Sequence, residues 1–153
     1  MNNGYIFRYA AILVIIVAAL LSLAAVVLAP YQQRNKDNEK RKNILRAAGI
    51  ADLSDSNVQQ LFTKHCTRML LIDAQGNTVD ETGLAFTTDM KTELYNKEQG
   101  LPFRLPLFIV EHNGHAISVV PLQGNGLWGA IWGYIAIADD GNTIAGATFD
   151  HPS

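Results

Sequence analysis

Residues 121–151 read PLQGNGLWGAIWGYIAIADDGNTIAGATFDH, and this stretch decides the fold. Gly124, Gly126, Gly129 and Gly133 recur among Leu127, Trp128, Trp132 and Tyr134. Glycine inside an apolar, strand-like run marks either a bulge or the close approach of something flat or bulky to the backbone. A flat cofactor is one such object, and a twisted sheet with a packed aromatic core is the other. Further on, Gly133 to Ala138 turns at Asp139-Asp140-Gly141-Asn142 into Thr143 to Phe149. Asp-Gly supplies the positive φ that a tight hairpin needs.

Two more hairpins precede it. Met69-Leu70-Leu71-Ile72-Asp73 turns through Ala74-Gln75-Gly76-Asn77 into Thr78-Val79-Asp80. Leu107-Phe108-Ile109-Val110-Glu111 turns at Asn113-Gly114 into Ala116-Ile117-Ser118-Val119-Val120. Between them, Asp89 to Gln99 predicts a helix closed by Gly100. Upstream, a short helix is expected from Asn57 to Cys66, capped by Ser54, Asp55 or Ser56, with Val58, Leu61, Phe62 and Cys66 on its buried face. Strands grouped apart from helices give an α+β fold with an antiparallel sheet and flanking helices.

Not all of the 153 residues serve a soluble core. Tyr9 to Pro30, YAAILVIIVAALLSLAAVVLAP, is uncharged. As a helix it reaches roughly 33 Å at about 1.5 Å per residue, enough to cross the hydrocarbon layer. It exceeds the ~7–15-residue core of a cleaved signal peptide and lacks a basic cluster before it, so it reads as a permanent anchor. Ala11, Ala18, Ser22, Ala25 and Ala29 fall on one face, where small residues let a neighbouring membrane helix approach. The expected organisation is a tail (1–8), a transmembrane helix (9–30), a polar helical stalk bent at Pro30 (31–49), and one small domain (50–153). The stalk reads as a solvated face. Arg34, Lys36, Lys40, Arg41, Lys42 and Arg46 follow the span and only Arg8 precedes it. The positive-inside rule therefore places the domain in the cytoplasm. A net charge of −2 gives no reason to expect nucleic acid.

Candidate chemistry is sparse. Cys66 is the single cysteine, so no internal disulfide or cysteine cluster can form, and it reads as a small packing residue. His112 and His115 flank the Asn-Gly turn, but two ligands on an exposed hairpin make a poor metal site. His65, beside Cys66, lacks a third group for a nucleophilic arrangement. Asp80, Glu81, Asp139 and Asp140 read as turn residues. Neither a dinucleotide-binding glycine motif nor a P-loop is present. No catalytic or metal-binding constellation is expected.

The order of features then becomes informative: one membrane helix, a basic segment ending Lys42-Asn43-Ile44-Leu45, then Gly124-Asn125-Gly126-Leu127-Trp128-Gly129, Gly133-Tyr134-Ile135-Ala136, and Thr143-Ile144-Ala145-Gly146-Ala147-Thr148-Phe149-Asp150-His151. In that order they resemble the C subunit of the bacterial sodium-translocating NADH:quinone reductase. The resemblance covers essentially the whole chain. It implies an electron carrier in a multisubunit complex of the bacterial inner membrane, with FMN held on a threonine by a phosphoester bond. NADH and quinone would bind other subunits, and the domain would face the periplasm, against the charge count.

The chain departs from the family at the attachment motif, Ser-Gly-Ala-Thr with a further hydroxyl residue two positions on. Ala145-Gly146-Ala147-Thr148-Phe149-Asp150 contains Gly-Ala-Thr without either flanking hydroxyl. It lies in a hairpin strand upstream of the attachment loop. Thr148 is therefore expected to be a strand residue, and no covalent FMN is expected. The resemblance implies a C-terminally truncated member in which Gly126, Leu127 and Trp128 still line the place of a flavin ring. Two rivals stand beside this reading: a membrane-anchored assembly subunit with no redox centre, and the G subunit of the related Rnf-type electron-transport complex. A pilin-like subunit fits poorly, because Gly4-Tyr5-Ile6-Phe7-Arg8 lacks the acidic residue expected soon after a processing glycine.

Overall fold

A computed structural model describes residues 3–127 and 129–150. The chain divides into two compact units, up to Asp37 and from Asn38 onward. One helix, α1 (Asn3–Ala47), contributes to both and stays helical through Pro30, where the sequence suggested a bend.

The first unit is helix alone. Its apolar side chains are exposed, with Leu20 at 62% and Leu21 at 66%. Its uncharged stretch, residues 9–30, needs a lipid solvent or other membrane helices around it.

The second unit starts inside what reads as the stalk. Asn38 and Lys42 are buried, and so are Ile44, Leu45, Ala47 and Ala48. Spacings of three and four residues bring this face together. At about 2–3 kcal/mol for each large apolar side chain buried, Ile44 and Leu45 are core residues. From Asn38 on, the solvated-stalk reading is corrected. The basic residues obscured the apolar stripe between them, and their own contacts are internal. The Lys40 ammonium donates to the Phe86 carbonyl and lies 4.9 Å from the Phe86 ring centre. The Arg41 guanidinium lies 4.9 Å from the same ring and 6.0 Å from that of Phe62. Lys42 meets Glu39 at 2.8 Å and Asp55 at 2.9 Å. These hydrogen bonds to Glu39 and Asp55 raise its pKa above the ordinary lysine value.

After α1 come α2 (Val58–His65), β1 (Cys66–Ile72), β2 (Thr78–Asp80), α3 (Leu84–Thr87) and α4 (Met90–Glu98). The chain continues with β3 (Leu105–His112), β4 (His115–Gly126), β5 (Gly129–Ile137) and β6 (Ile144–Asp150). The strands form one antiparallel sheet in the order β2-β1-β3-β4-β5-β6. The expected α+β class and all three hairpins are present. The N-cap of α2 is Asn57, not Ser54, Asp55 or Ser56. Asp55 is held by Lys42, while the Asn57 amide donates to the Asp52 carbonyl at 2.9 Å. The short α3 is absent from the sequence reading. The helix expected over Asp89 to Gln99 is α4, and Asp89 is its N-cap, accepting from the Lys91 amide.

One face of the sheet carries the core. Phe108 and Val110 of β3, Ile117 and Val119 of β4, and Tyr134 and Ala136 of β5 pack with Leu71, Val58, Phe62, Ala85 and the end of α1. The Asn113-Gly114 turn has positive φ at both residues, +52° and +80°, which matches the twist of its flanking strands.

Candidate functional site

The glycine-rich run resolves into two different places. The Gly124-Asn125-Gly126-Leu127-Trp128-Gly129 segment is the far end of the β4–β5 hairpin. Gly126 faces Gly129 across the ladder, which closes the hairpin at its tip. Gly129 has a φ of +141°, a backbone that side-chain-bearing residues avoid. The sequence placed the start of this strand at Gly133, four residues late, because the tip glycines read as breakers. Leu127 projects at the tip with 91% of its surface exposed. Trp128 lies outside the described residues. Gly126 has the Ile131 side chain folded against it, 2.3 Å from where a Cβ would stand.

Behind the tip lies a shallow groove of about 320 Å³. Strand register explains it. Pro121, Tyr134 and Thr148 align across β4, β5 and β6 on the core face. The next row, Leu122, Gly133 and Phe149, lies on the opposite face, as do Gly124 and Ile131. Glycine at 124 leaves open floor, Phe149 folds against Gly133, and Leu122, Ile131, Trp132 and Phe149 line the sides. Gln123 and Asn125 also border it, and none of the described lining residues is Lys, Arg or His.

Gly146 and Thr148 sit elsewhere and do something else. A Cβ on Gly146 would lie 2.4 Å from the Ala47 carbonyl oxygen, so glycine there lets α1 close onto β6. The Thr148 hydroxyl donates to the Asn43 carbonyl at 3.2 Å and is partly buried. The Gly-Ala-Thr string docks a helix on a strand.

The remaining candidates also have local duties. His65 Nδ1 is 2.8 Å from the Glu111 carbonyl, His112 lies 3.1 Å from the Asn113 amide nitrogen, and His115 Nδ1 is 3.1 Å from Asp139. His65 and His112 pack edge to face at 6.2 Å. Asp80 binds the Thr82 backbone and hydroxyl, and Asp140 binds Asn142 and Thr143. Glu81 pairs with Arg68. Burial pushes the Cys66 thiol up to about 11, which leaves it protonated and unreactive at neutral pH. Among the described residues no group of three or more His, Cys, Asp or Glu could hold a metal.

Among the described residues one N-terminal helix is long and apolar enough to cross a membrane, and it runs into a six-stranded antiparallel sheet with helices, the class of a membrane-anchored α+β protein. No protein-family model matches the chain. It is 30% identical to the C subunit of the Na(+)-translocating NADH-quinone reductase from Haemophilus ducreyi over 151 residues, covering 90% of this chain and 58% of that protein. The same protein from Vibrio vulnificus is 29% identical, with 88% and 58% covered. The crystal structure of its counterpart from Parabacteroides distasonis superposes with a TM-score of 0.70 at 31% identity, covering 82% of this chain and 59% of that one. Shewanella oneidensis NqrC gives 0.63 at 25%, with 76% and 60% covered. In sequence and in fold the chain is thus similar to the C subunits of sodium-translocating NADH-quinone reductases, and it spans about three fifths of the length of the relatives it matches.

FMN, which the resemblance implies, divides against this geometry. An apolar groove floored by glycine suits a planar ring. Nothing among the described lining residues suits a phosphate, and the Thr148 hydroxyl is engaged with helix α1.

Proposed function

We propose that this chain serves as the electron-carrying subunit of a membrane sodium-translocating NADH:quinone oxidoreductase. NADH and quinone would bind other subunits. The match to the Parabacteroides structure, in sequence and in fold together, is the observation that carries this reading. FMN bound near the β4–β5 hairpin would supply reversible one- and two-electron transfer. Toward it the chain offers Gly126 and Leu127 at the tip, with the apolar groove behind them excluding water. Thr148 offers no covalent attachment.

The partners in this reading are other membrane subunits, reached through the bilayer by α1 and its small-residue face. Purification in mild detergent tests it. Tagged protein should bring down the other reductase subunits, and a solitary monomer would overturn the assignment. Association with Rnf-type subunits instead would select the related complex.

A second reading, an assembly subunit without a redox centre, is favoured by one specific observation: the engagement of the Thr148 hydroxyl with α1. In-gel flavin fluorescence of denatured protein separates the alternatives for attachment. The expected result is a dark band at this chain's mass, and a fluorescent one would show covalent flavin.

We place the domain in the periplasm of a bacterial inner membrane. Lys40, Arg41 and Lys42, half of the basic residues behind the span, have roles inside the folded unit. Their presence therefore needs no cytoplasmic explanation, which weakens the charge count without cancelling it. Protease treatment of spheroplasts tests this placement. Degradation before the inner membrane is permeabilised is expected, and degradation only afterwards would reverse it.

A further inference from the structure

We propose that Asn113, at the tip of the β3–β4 hairpin, is a site of spontaneous deamidation, and that the fold selects it over the other positions where related chemistry could occur.

The reaction joins a side-chain carbonyl carbon to the next backbone nitrogen. The Gly114 nitrogen loses its proton and bonds to Asn113 Cγ. The Cγ–Nδ2 bond breaks, and the side-chain nitrogen takes up a proton through water and leaves as ammonia. Water then opens the cyclic imide at one carbonyl to give aspartate, or at the other to give isoaspartate. A following glycine favours the attack, because it puts no side chain beside the nucleophile. The sequence offers Asn3-Gly4, Asn113-Gly114, Asn125-Gly126 and, for the analogous isomerisation, Asp140-Gly141.

Backbone surroundings separate the four. Asn3-Gly4 begins α1, and Asn125-Gly126 lies within the β4–β5 ladder, opposite Ala130 and Gly129. In both, bringing the glycine nitrogen onto the side chain turns a peptide plane that secondary structure holds. At Asp140-Gly141 both reacting groups are engaged. The Gly141 nitrogen donates to the Ala138 carbonyl at 3.0 Å, and the Asp140 carboxylate accepts from the Thr143 hydroxyl and the Asn142 and Thr143 amides. Those bonds hold the carboxyl below the usual carboxylate range, in the charged form that a nucleophile avoids. Asn113-Gly114 is placed differently. The His112–His115 pair closes the ladder, and the Asn113–Gly114 peptide unit stands beyond it. Both residues are exposed. The Asn113 amide donates to His112 Nε2 at 3.1 Å, a surface contact that rotation exchanges for water.

Either product alters the hairpin. Aspartate puts a carboxylate between His112 and His115, where His115 already meets Asp139. Isoaspartate adds a methylene to the backbone of a two-residue turn, at the end of the strands that carry Phe108, Val110, Ile117 and Val119 into the core.

The test uses the full chain in mild detergent, kept folded in warm, mildly alkaline buffer and sampled over time. Peptide mapping by mass spectrometry reads the replacement of NH by O at each asparagine, and an isoaspartate-specific methyltransferase labels the isomerised product. Asn113 should convert at least about fivefold faster than Asn125, the factor set by opening one backbone contact of the ladder. In denaturant the two should convert at similar rates, since the fold no longer distinguishes them. Asn113→Gly keeps a residue pair that the turn accepts and removes the electrophile. Isoelectric focusing should then show acidic species forming at least about fivefold more slowly than in the unaltered chain. An intact Asn113 in a folded chain whose denatured form converts would overturn the proposal. So would conversion at Asn3, Asn125 or Asp140 that keeps pace with Asn113, or acidic species undiminished in Asn113→Gly. These outcomes are independent of the electron-carrying reading, which co-purification decides.

Discussion

Gly124 and Gly146 lie on the same three-stranded portion of the sheet, in the same glycine-rich run, on opposite faces. At Gly146 the missing side chain is filled from within: the Ala47 carbonyl of α1 occupies the space, and Thr148 ties down the Asn43 carbonyl two residues along. At Gly124 the space is open to solvent. One glycine serves the fold and the other leaves room for something else. Gly133 combines both conditions, because its Cβ would meet the Thr148 carbonyl oxygen at 2.1 Å while its outer side forms part of the groove.

The largest effects should fall where the space of the missing side chain is already filled. Gly146→Ala and Gly133→Ala each drive a methyl group into backbone that cannot rotate away. Overpacking of this kind should cost about 3 kcal/mol. Thermal melting of the anchored protein should drop by about 10 °C or more. Gly124→Ala should leave melting unchanged, since adding a Cβ in a strand with free space relieves the glycine penalty. Equal melting of Gly146→Ala and Gly124→Ala would erase the distinction. Next in size is Thr148→Val, which keeps the shape and removes the donor to Asn43. A loss of about 1 kcal/mol is expected, and Thr148→Ser should retain most of the stability.

Apolar runs punctuated by glycine-containing turns made the hairpins legible from sequence, and their grouping apart from the helices gave the α+β class. The membrane helix was legible from composition alone. The glycine run was harder, because one letter stands for three situations: a positive φ at Gly129, a docked helix at Gly146 and an open floor at Gly124. Only cross-strand register tells which face each occupies. Ile44 and Leu45 were hidden for another reason. Their neighbours Lys40, Arg41 and Lys42 look like a solvated surface until Phe86, Glu39 and Asp55 are seen to receive them. The groove wall Phe149 comes from a different hairpin than Gly124, and no local motif connects the two.

A smaller effect concerns the turns and caps that hold the hairpins and α4. Hydrogen bonds from Asn77 hold the Asp73 carboxyl below the usual carboxylate range; the Thr143 hydroxyl and Asn142 amide do so for Asp140, and the Thr92 hydroxyl and Lys91 amide for Asp89. A carboxyl with a depressed folded-state pKa stabilises above its unfolded pKa, about 3.9, and loses that contribution as pH falls through the folded value. Melting should thus be flat from neutral pH down to about 5 and decline below 4. Asp140→Asn should flatten part of that decline. An acid limb identical to wild type would show that the Thr143 contact does not persist in solution.

The smallest expected change in stability tests where on the open side a ring would rest. Leu127 projects into solvent, so Leu127→Ser should alter melting by less than about 0.5 kcal/mol. Its effect on flavin binding is the informative quantity. A ring seated on Gly124 between Leu122, Ile131 and Phe149 would touch the tip only at its margin, and Leu127→Ser would then weaken riboflavin binding less than Gly124→Val does. The reverse order would move the ring from the groove to the tip, where Gly126 and Leu127 would be its main support. Because neither substitution disturbs a packed contact, a difference between them reports ligand position and not folding. Gly146→Ala cannot give that information, since it changes the sheet on which both sites stand.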